Sequence, residues 1–374
     1  MARIALIASS FLPRMGGVEV HVANIATELV RLGHTVAIWA VDQGDEAPDD
    51  YRGIPVRYLP CPLPARTLPA AAGFLQQALP AWRAWHSALA ADRPDVLNIQ
   101  CFGPNGVYAS ALARTTGVPL VYSHHGETSG DANDVFGSSA LLRRALTRTL
   151  AGADAVTSCS AHAAADLARF GRDPSTVKVI SNGIDMAEPL GSPPPGLPSQ
   201  YLLGIGRLVA NKGFANLIRA YAEARPAAGL VIGGEGPEMG RLRALAGDLD
   251  VDAHFTGRLS RPEVGALMAG ADALIVPSLA EAFGITVLEG WRAGVPVVVT
   301  DRGGPPEFVT DQVTGLLVDP EDVHALAEHI RRLDTDPELR HRLGAAGHAA
   351  VTGFTWVGAA RLYSKVFEAA TSAA

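Results

Sequence analysis

Arg3-Ile4-Ala5-Leu6-Ile7-Ala8 is a short apolar run, and Met15-Gly16-Gly17-Val18-Glu19 leads from it into an amphipathic stretch over 18–32. In that stretch Val22, Ile25, Ala26, Leu29 and Val30 recur at helical spacing, and Gly33 stops it. A strand apolar on both faces followed by a covering helix is the unit of a parallel sheet. The unit repeats. Further strands are expected at 35–40, 96–99, 120–122, 155–158 and 177–180, with helical stretches between most of them.

The pattern then breaks. Residues 186–199 hold Pro189, Pro193, Pro194, Pro195 and Pro198 together with Gly191 and Gly196, which reads as a linker because proline lacks the backbone donor and fixes φ. Beyond it the alternation restarts, with strands expected at 201–205, 229–232, 253–255, 273–276, 295–299 and 316–318. The fold class is therefore α/β, two Rossmann-like, doubly wound parallel-sheet domains, with the boundary at 183/184. Ligands of such sheets sit at the carboxyl ends of the strands, and with two sheets the expected site is the cleft between them.

Composition agrees. The chain has 374 residues, enough for two cores, with 48 % apolar and only 18 % charged residues, which argues against disorder. Its net charge of −7 makes general nucleic-acid binding a poor reading. The charge is zero over 1–183 and −7 over the remainder. Cys61, Cys101 and Cys159 are odd in number and form no CxxC pair, so neither a disulfide framework nor a structural zinc site is expected. The opening apolar run is too short for a signal peptide and no 18-residue uncharged apolar stretch exists, so the reading is a cytoplasmic protein without a spanning helix.

Several motifs fall at expected strand ends. Gly16-Gly17 is no nicotinamide fingerprint; it is either an ordinary tight turn or a place where phosphate approaches a helix N-terminus. Gly206-Arg207-Leu208 and Lys212-Gly213 follow the strand at 201–205, and two cations there suit a diphosphate leaving group. The chain has only three lysines (Lys178, Lys212, Lys365), which makes one beside an arginine here less accidental; a solvated surface pair is the alternative. Glu281 falls in the loop after 273–276 and Glu289 in the helix that starts near Gly284. Glu281 suits sugar hydroxyls, the amides of Gly284, Ile285 and Thr286 suit a phosphate, and Glu289 suits the vicinal hydroxyls of a ribose. His124 and His125 follow the strand at 120–122, where structural and ligand roles both stand. Glu127 and Asp131 lie nearby, but no HxxxH or HExxH spacing supports zinc. Arg143, Arg144 and Arg148 sit on a helix over 138–150 and read as a solvated basic face in preference to a membrane-surface helix.

The ordered set Gly16-Gly17-Val18-Glu19, His125-Gly126, Asn182-Gly183-Ile184-Asp185, Gly206-Arg207-Leu208 with Lys212-Gly213, Gly234-Glu235-Gly236-Pro237, Glu281 to Glu289, Gly294-Val295-Pro296-Val297-Val298, Gly303-Gly304-Pro305-Pro306-Glu307 and Gly315-Leu316-Leu317-Val318 resembles the retaining GT-B glycosyltransferases. That large family, glycosyltransferase family 4-like or glycosyl transferases group 1, includes bacterial mannosyl- and glucosyltransferases and resembles sucrose and glycogen synthases. The resemblance spans nearly the whole chain. It implies transfer of a hexose-type sugar from a UDP- or GDP-sugar to an acceptor hydroxyl or amine with retained anomeric configuration. It also implies that no cofactor and no metal are required. Arg207 and Lys212 would hold the diphosphate and Glu289 the ribose. Glu281, Phe283, Gly284, Ile285 and Thr286 would hold the donor sugar. His125 would lie near the reacting face, and Gly16 and Gly17 would face the phosphates across the cleft. Arg258 and Leu259 would border the base. A last helix from about residue 355 would return to the first domain, leaving 184–354 as the nucleotide-sugar domain.

The implied partners are the nucleotide sugar and a small-molecule, glycan or lipid-linked acceptor, with room for peripheral membrane contact. Residues 66–80 and 102–106 are the expected acceptor wall. Gly290 and Trp291 depart from the small or sulfur-bearing residues more usual there, and His124 is unusual ahead of His125. Two other functions fit the same layout: a GT-B sugar-nucleotide epimerase, which needs no acceptor, and a non-catalytic two-lobed binding protein, which leaves Arg207, Lys212, Glu281 and Glu289 without a task.

Overall fold

The computed structural model describes residues 1–13, 16–44, 46–64, 68–128 and 135–372. Met15, Arg66 and Asp131, singled out above, lie outside them. The chain divides into two compact units, Met1–Asn182 with Trp356–Ala374, and Gly183–Thr355.

The first unit carries β1 (Arg3–Ala8), β2 (Thr35–Val41), β3 (Asp50–Tyr51), β4 (Ile54–Leu59), β5 (Val96–Gln100), β6 (Leu120–His124), β7 (Ala155–Ser158) and β8 (Lys178–Val179). Their spatial order is β3-β4-β2-β1-β5-β6-β7-β8, and every pair is parallel except β3 with β4. Its helices are α1 (Gly17–Arg31), α2 (Leu68–Asp92), α3 (Pro104–Thr116), α4 (Val135–Ser138), α5 (Ala140–Gly152) and α6 (Ala161–Asp166). Leu6, Ile7, Leu97 and Ile99 on the central strands are fully buried, as expected of strands covered on both faces.

The second unit carries β9 (Tyr201–Ile205), β10 (Gly229–Gly233), β11 (Ala253–Gly257), β12 (Ala273–Val276), β13 (Val297–Thr300) and β14 (Leu316–Val318). The order is β11-β10-β9-β12-β13-β14, all parallel. Its helices are α7 (Phe214–Ala224), α8 (Met239–Asp248), α9 (Arg261–Ala269), α10 (Ile285–Arg292), α11 (Val323–Thr335) and α12 (Pro337–Val351). The last helix, α13 (Trp356–Ser372), belongs to the first unit and packs on α1.

The structure corrects the sequence reading in places. The strand expected at 295–299 is β13 at Val297–Thr300, because Pro296 precedes its first paired residue. The helix expected over 138–150 is α5, which begins at Ala140 behind a Ser139 cap that accepts from Leu142 N–H. The Gly290-Trp291 departure has a packing reason. A Cβ on Gly290 would lie 2.6 Å from Leu274, so glycine lets α10 press onto β12. Trp291 is fully buried against Gly347 of α12, and its indole N–H donates to the Thr314 carbonyl at 2.9 Å.

Each sheet reverses its strand order once. In the first unit the chain moves outward from β1 through β2 and then crosses to β5 on the other side; in the second it leaves β9 for β10 and β11 and crosses to β12. At such a switch point the two loops leaving adjacent strands diverge and open a crevice at the carboxyl edge.

Candidate active site

In the second unit the switch point lies between β9 and β12, and their following loops lock together through backbone. Leu279 N–H donates to the Asn211 carbonyl at 2.8 Å. Gly213 has φ +70°, and a Cβ there would sit 1.9 Å from the Pro277 carbonyl oxygen, so only glycine closes this contact. The turn after β13 adds a third wall: Gly304 N–H donates to the Glu281 carbonyl at 2.9 Å, and a Cβ on Gly303, at φ +95°, would lie 1.9 Å from that same oxygen.

This scaffold brings Lys212 and Glu281 together, Nζ to Oε2, at 2.7 Å, although 69 residues separate them. Ser278 Oγ donates to the same oxygen at 3.1 Å. One of the three ammonium protons of Lys212 is engaged, which leaves two for a ligand. Arg207 is exposed at the end of β9, and its side chain has no partner among the described residues. Gly284, at φ +100°, caps α10, so the N–H groups of Ile285 and Thr286 begin a helix and have no helical acceptor. Phe283 differs from its neighbours: its ring is buried and stacks on Phe308 at 5.0 Å, so it can offer a ligand only backbone.

Glu289 is buried on α10 and already bonded. Its Oε1 pairs with Arg261 of α9, whose guanidinium also donates to both Glu188 oxygens at 3.1 and 3.0 Å, while Arg292 donates to Glu188 at 2.8 Å. Burial pushes the Arg261 guanidinium down, but the two carboxylates outweigh it and hold it firmly charged. Glu289 therefore presents Oε2 to a ligand, with Oε1 held by arginine. Arg258 and Leu259 follow β11 on the same edge. Arg258 is exposed 3.8 Å from Glu235, and Leu259 lies against Gly233.

The first unit's edge is built differently. Gly16 N–H donates to Glu19 at 2.8 Å, and Glu19 also accepts from Ser10, so one amide of the Gly16-Gly17 turn is occupied by the protein itself. A Cβ on Gly17 would meet nothing within 4 Å. At the end of β6 the two histidines separate. His124 is fully buried, with Nδ1 2.9 Å from the Tyr122 hydroxyl and 3.0 Å from Glu127, and Nε2 3.3 Å from Thr128. His125 is half-buried, with Nε2 2.7 Å from Gln100 Oε1. His125 is therefore the imidazole that can meet a ligand. Burial opposes ionisation of Glu127, but the two imidazoles and the Phe102 N–H hold its carboxyl below the usual range.

A hydrogen-bond chain sets the His125 tautomer. The Val121 carbonyl only accepts, so Asn98 must donate through Nδ2 (3.3 Å) and accept through Oδ1. Gln100 Nε2 donates to that Oδ1 at 2.5 Å, so Gln100 Oε1 must accept from His125 Nε2–H. Burial lowers the His125 pKa to about 4, with the Glu127 charge opposing and His124 reinforcing the shift. The neutral ring therefore carries its proton on Nε2 and a lone pair on Nδ1, which has no partner among the described residues. The ring of His21 on α1 lies edge-on to His125 at 4.6 Å, with its own Nδ1 2.7 Å from Asn182 Oδ1. Burial and His125 hold His21 well below its ordinary range.

Two family models divide the chain: Glycosyltransferase Family 4 over residues 15–188 and Glycosyl transferases group 1 over 194–349. The chain is 30 % identical over 380 residues to the GDP-mannose-dependent alpha-(1-6)-phosphatidylinositol monomannoside mannosyltransferase of Mycobacterium tuberculosis, covering 94 % of each protein. The chain belongs to the family 4-like GT-B glycosyltransferases. Another relative in the family, the glycogen synthase of M. tuberculosis, is 33 % identical over 276 residues, which is 70 % of this chain and 66 % of that enzyme. Among solved structures, the sucrose-phosphate synthase of Thermosynechococcus elongatus shares the fold at TM-score 0.83 and 21 % identity, with both chains fully covered. Anabaena HepE, solved with UDP and glucose, does so at TM-score 0.79 and 21 % identity over 98 % of this chain and 99 % of that one.

Within this family member, the sequence reading missed Arg261 and Glu188, which pair across distant segments without a local motif. It also missed Asn98 and Gln100. Their signal was present: two amides alternate within the otherwise apolar run Val96-Leu97-Asn98-Ile99-Gln100, and a polar side chain in a central parallel strand must find a buried partner.

Proposed function

We propose that this chain moves a hexose-type sugar from a UDP- or GDP-sugar to an acceptor hydroxyl or amine, with retention and without a metal ion. The observation that carries this reading is the loop after β9, where Arg207 is exposed with no side-chain partner among the described residues and Lys212 is held by Glu281 just ahead of the α10 N-terminus, at the β9/β12 switch point. Two cations and a helix terminus supply the charge that a metal would otherwise bring to a departing diphosphate. Glu281 binds the sugar hydroxyls, and Glu289 accepts from the ribose through its second oxygen. Arg258 and Leu259 border the base. In the first unit His125 orients the sugar through the Nδ1 lone pair, and Gly17 offers a phosphate contact.

Of the carboxylates considered for a nucleophile, Glu281 is held by Lys212 and Ser278, Glu127 by Phe102, Tyr122, His124 and His125, and Asp131 lies outside the described residues. The resemblance to the retaining GT-B enzymes implies that the reaction runs on one face. The bond from the anomeric carbon to the diphosphate oxygen breaks and the bond to the acceptor oxygen or nitrogen forms. The acceptor proton passes to the departing phosphate oxygen. The relatives support both nucleotides, since one is named for GDP-mannose and HepE was solved with UDP.

A panel of UDP- and GDP-sugars, assayed for nucleotide release with and without acceptors, tests the reading. Acceptor-dependent release that survives EDTA, and an axial anomeric coupling in the product by NMR, are expected. Release without acceptor and without glycoside would indicate an epimerase. Loss of activity in chelator with rescue by Mn²⁺ or Mg²⁺ would remove the metal-free step.

A further inference from the structure

His124, unusual ahead of His125, belongs to a buried cluster whose centre is Glu127. Gly126, at φ +88°, turns the chain so that the Glu127 carboxylate folds back toward the end of β6. Its Oε2 accepts from His125 N–H at 2.8 Å. Its Oε1 accepts from Phe102 N–H at 2.5 Å and from the Tyr122 hydroxyl at 2.7 Å. One carboxylate thus ties the loop after β5 to the loop after β6. Cys101, just before Phe102, has φ +68°, a left-handed backbone that a non-glycine residue holds only where its surroundings fix it.

The donors and acceptors around His124 fix its charge. Glu127 is held ionised and only accepts. Burial, reinforced by Glu127, keeps the Tyr122 hydroxyl protonated, so Tyr122 spends its one proton on Glu127. His124 Nδ1 lies 2.9 Å from the Tyr122 oxygen and 3.0 Å from Glu127 Oε2, two acceptors, and therefore carries a proton. On the other side of the ring, Thr128 donates its hydroxyl proton to Asp166, a carboxylate that also accepts from Arg169 at 2.8 Å. Thr128 Oγ1 is left as an acceptor toward His124 Nε2 at 3.3 Å. Both ring nitrogens donate, which makes the ring an imidazolium. His124 is fully buried, and a buried charge needs a partner of opposite sign. Glu127 is that partner. His125, the next titratable ring, stays neutral through the Gln100 chain described above.

We propose that His124 is a buried imidazolium paired with Glu127, and that this pair is the positioning device that locks the His125 backbone to Phe102. The two adjacent histidines then divide the work. His125 meets the sugar as a neutral ring, and His124 supplies the counter-charge that lets one buried carboxylate hold two loop amides. Both members of the pair act through His125 and Phe102, so they are positioning residues. The consequence for turnover rests on the proposed sugar transfer, with His125 at the sugar; the charge assignment and the locked amides do not.

¹⁵N NMR of the histidine rings in the full chain at pH 7 should show His124 protonated at both nitrogens and His125 at Nε2 alone, with His124→Gln and His125→Gln identifying the signals. Glu127→Gln keeps the shape, removes the charge and accepts at one oxygen only. It should turn His124 into a neutral ring and speed amide hydrogen exchange at Phe102 or His125 at least tenfold. Turnover should fall by about one to two powers of ten, the scale of a displacement of about an ångström. Free UDP and GDP, whose proposed contacts lie chiefly in the second unit, should bind within about twofold of wild type. His124→Gln, the second probe if Glu127→Gln does not fold, should speed the same amides. The double variant should lose no more turnover than the worse single one, because both changes break one pair. A neutral His124 in the wild type would overturn the ion pair. Wild-type exchange at both amides in the folded variants, or additive losses in the double variant, would overturn the positioning role. Faster exchange with wild-type turnover would leave the pair standing and remove His125 from the proposed reaction.

Discussion

The two switch points hold opposite kinds of chemistry on the same architecture. At β9/β12 the groups are ionic, and glycine turns with no space for a Cβ hold their loops, as at Gly213 and Gly303. At β1/β5 and the neighbouring β6 end, the group offered is a neutral imidazole, aimed by amides buried in the sheet. Charge can stay near water because fixed cations gain strength only when a ligand excludes solvent. A neutral imidazole needs the reverse: burial that keeps the proton count fixed, and an acceptor that chooses which nitrogen carries it.

The largest expected effect breaks the ionic half. Removing Arg207 or Lys212 takes away charge that the leaving diphosphate needs most in the transition state. Arg207→Ala and Lys212→Ala should each lower kcat by about two to three powers of ten, with a smaller change in donor affinity. Steady-state kinetics on the donor found by the panel assay checks this. Near wild-type kcat in both variants would show that the exposed arginine and the lysine are ordinary surface cations.

A smaller effect separates the two glutamates. Glu289→Ala should weaken the free nucleoside diphosphate by roughly 1.5–3 kcal/mol, the scale of a charge-assisted hydrogen bond. Arg261 complicates this usefully. Without Glu289 it keeps Glu188, so the protein should stay folded while the ribose contact is lost. Glu281→Ala should leave free nucleotide binding nearly unchanged and lower turnover of the whole donor. Titration calorimetry on both variants decides the assignment, and equal losses would exchange or dissolve the two roles.

These contrasts also explain what the sequence could disclose. β1, β7, β9, β12 and β14 were legible to the residue, because a strand buried on both faces is an apolar run with clear ends. β4 was not, since Pro55 and Arg57 interrupt it at the margin of the sheet. α2 was not either: Pro80 lies within it and its alanine-rich sequence carries little helical period. Arg207, Lys212, Glu281 and Glu289 were legible because strand ends and helix starts mark positions. Which side chain holds which was not, because Lys212 and Glu281 sit on distant loops whose meeting depends on backbone contacts at Gly213 and Gly303, and Arg261 and Glu289 sit on two different helices, α9 and α10. The choice between His124 and His125 required burial, which strand alternation alone left open.

The neutral half predicts an acid limit to stability. The folded-state pKa of His125 is lowered to about 4, and that of His21 lies well below its ordinary range, while both return toward about 6.5 in the unfolded chain. Between those values the unfolded state binds more protons, so stability is lost as pH falls below about 6.5. Urea unfolding at pH 5 against pH 7 should show the first unit destabilised, with His125 contributing on the order of 1–2 kcal/mol. His125→Gln should flatten part of that difference; an unchanged pH dependence would mean that the imidazole is not held neutral.

The smallest expected effect sharpens the comparison most, because it converts the neutral edge into an ionic one. Gln100 is fully buried, its Oε1 accepts from His125 Nε2–H, and its Nε2 donates to Asn98. Gln100→Glu keeps the acceptor toward His125 and the shape, gives up the donor to Asn98 Oδ1, and places a carboxylate against the ring. An adjacent buried negative charge favours imidazolium and should raise the His125 pKa from about 4 to above 7. Once protonated, Nδ1 becomes a donor and can no longer accept from a sugar hydroxyl. Turnover should therefore acquire an acid limb absent from the wild type. One unit below the new pKa only about a tenth of the rings stay neutral, so kcat at pH 6 should fall about tenfold relative to pH 8. A ¹⁵N NMR titration of the histidine rings reads the tautomer and pKa directly and independently of turnover. If Gln100 merely fills space, the variant will lose the same fraction of activity at every pH. Arg207→Ala, acting through fixed charge, should show no such limb over the same range. A limb in the arginine variant as well would place the titrating group outside the Asn98–Gln100–His125 chain.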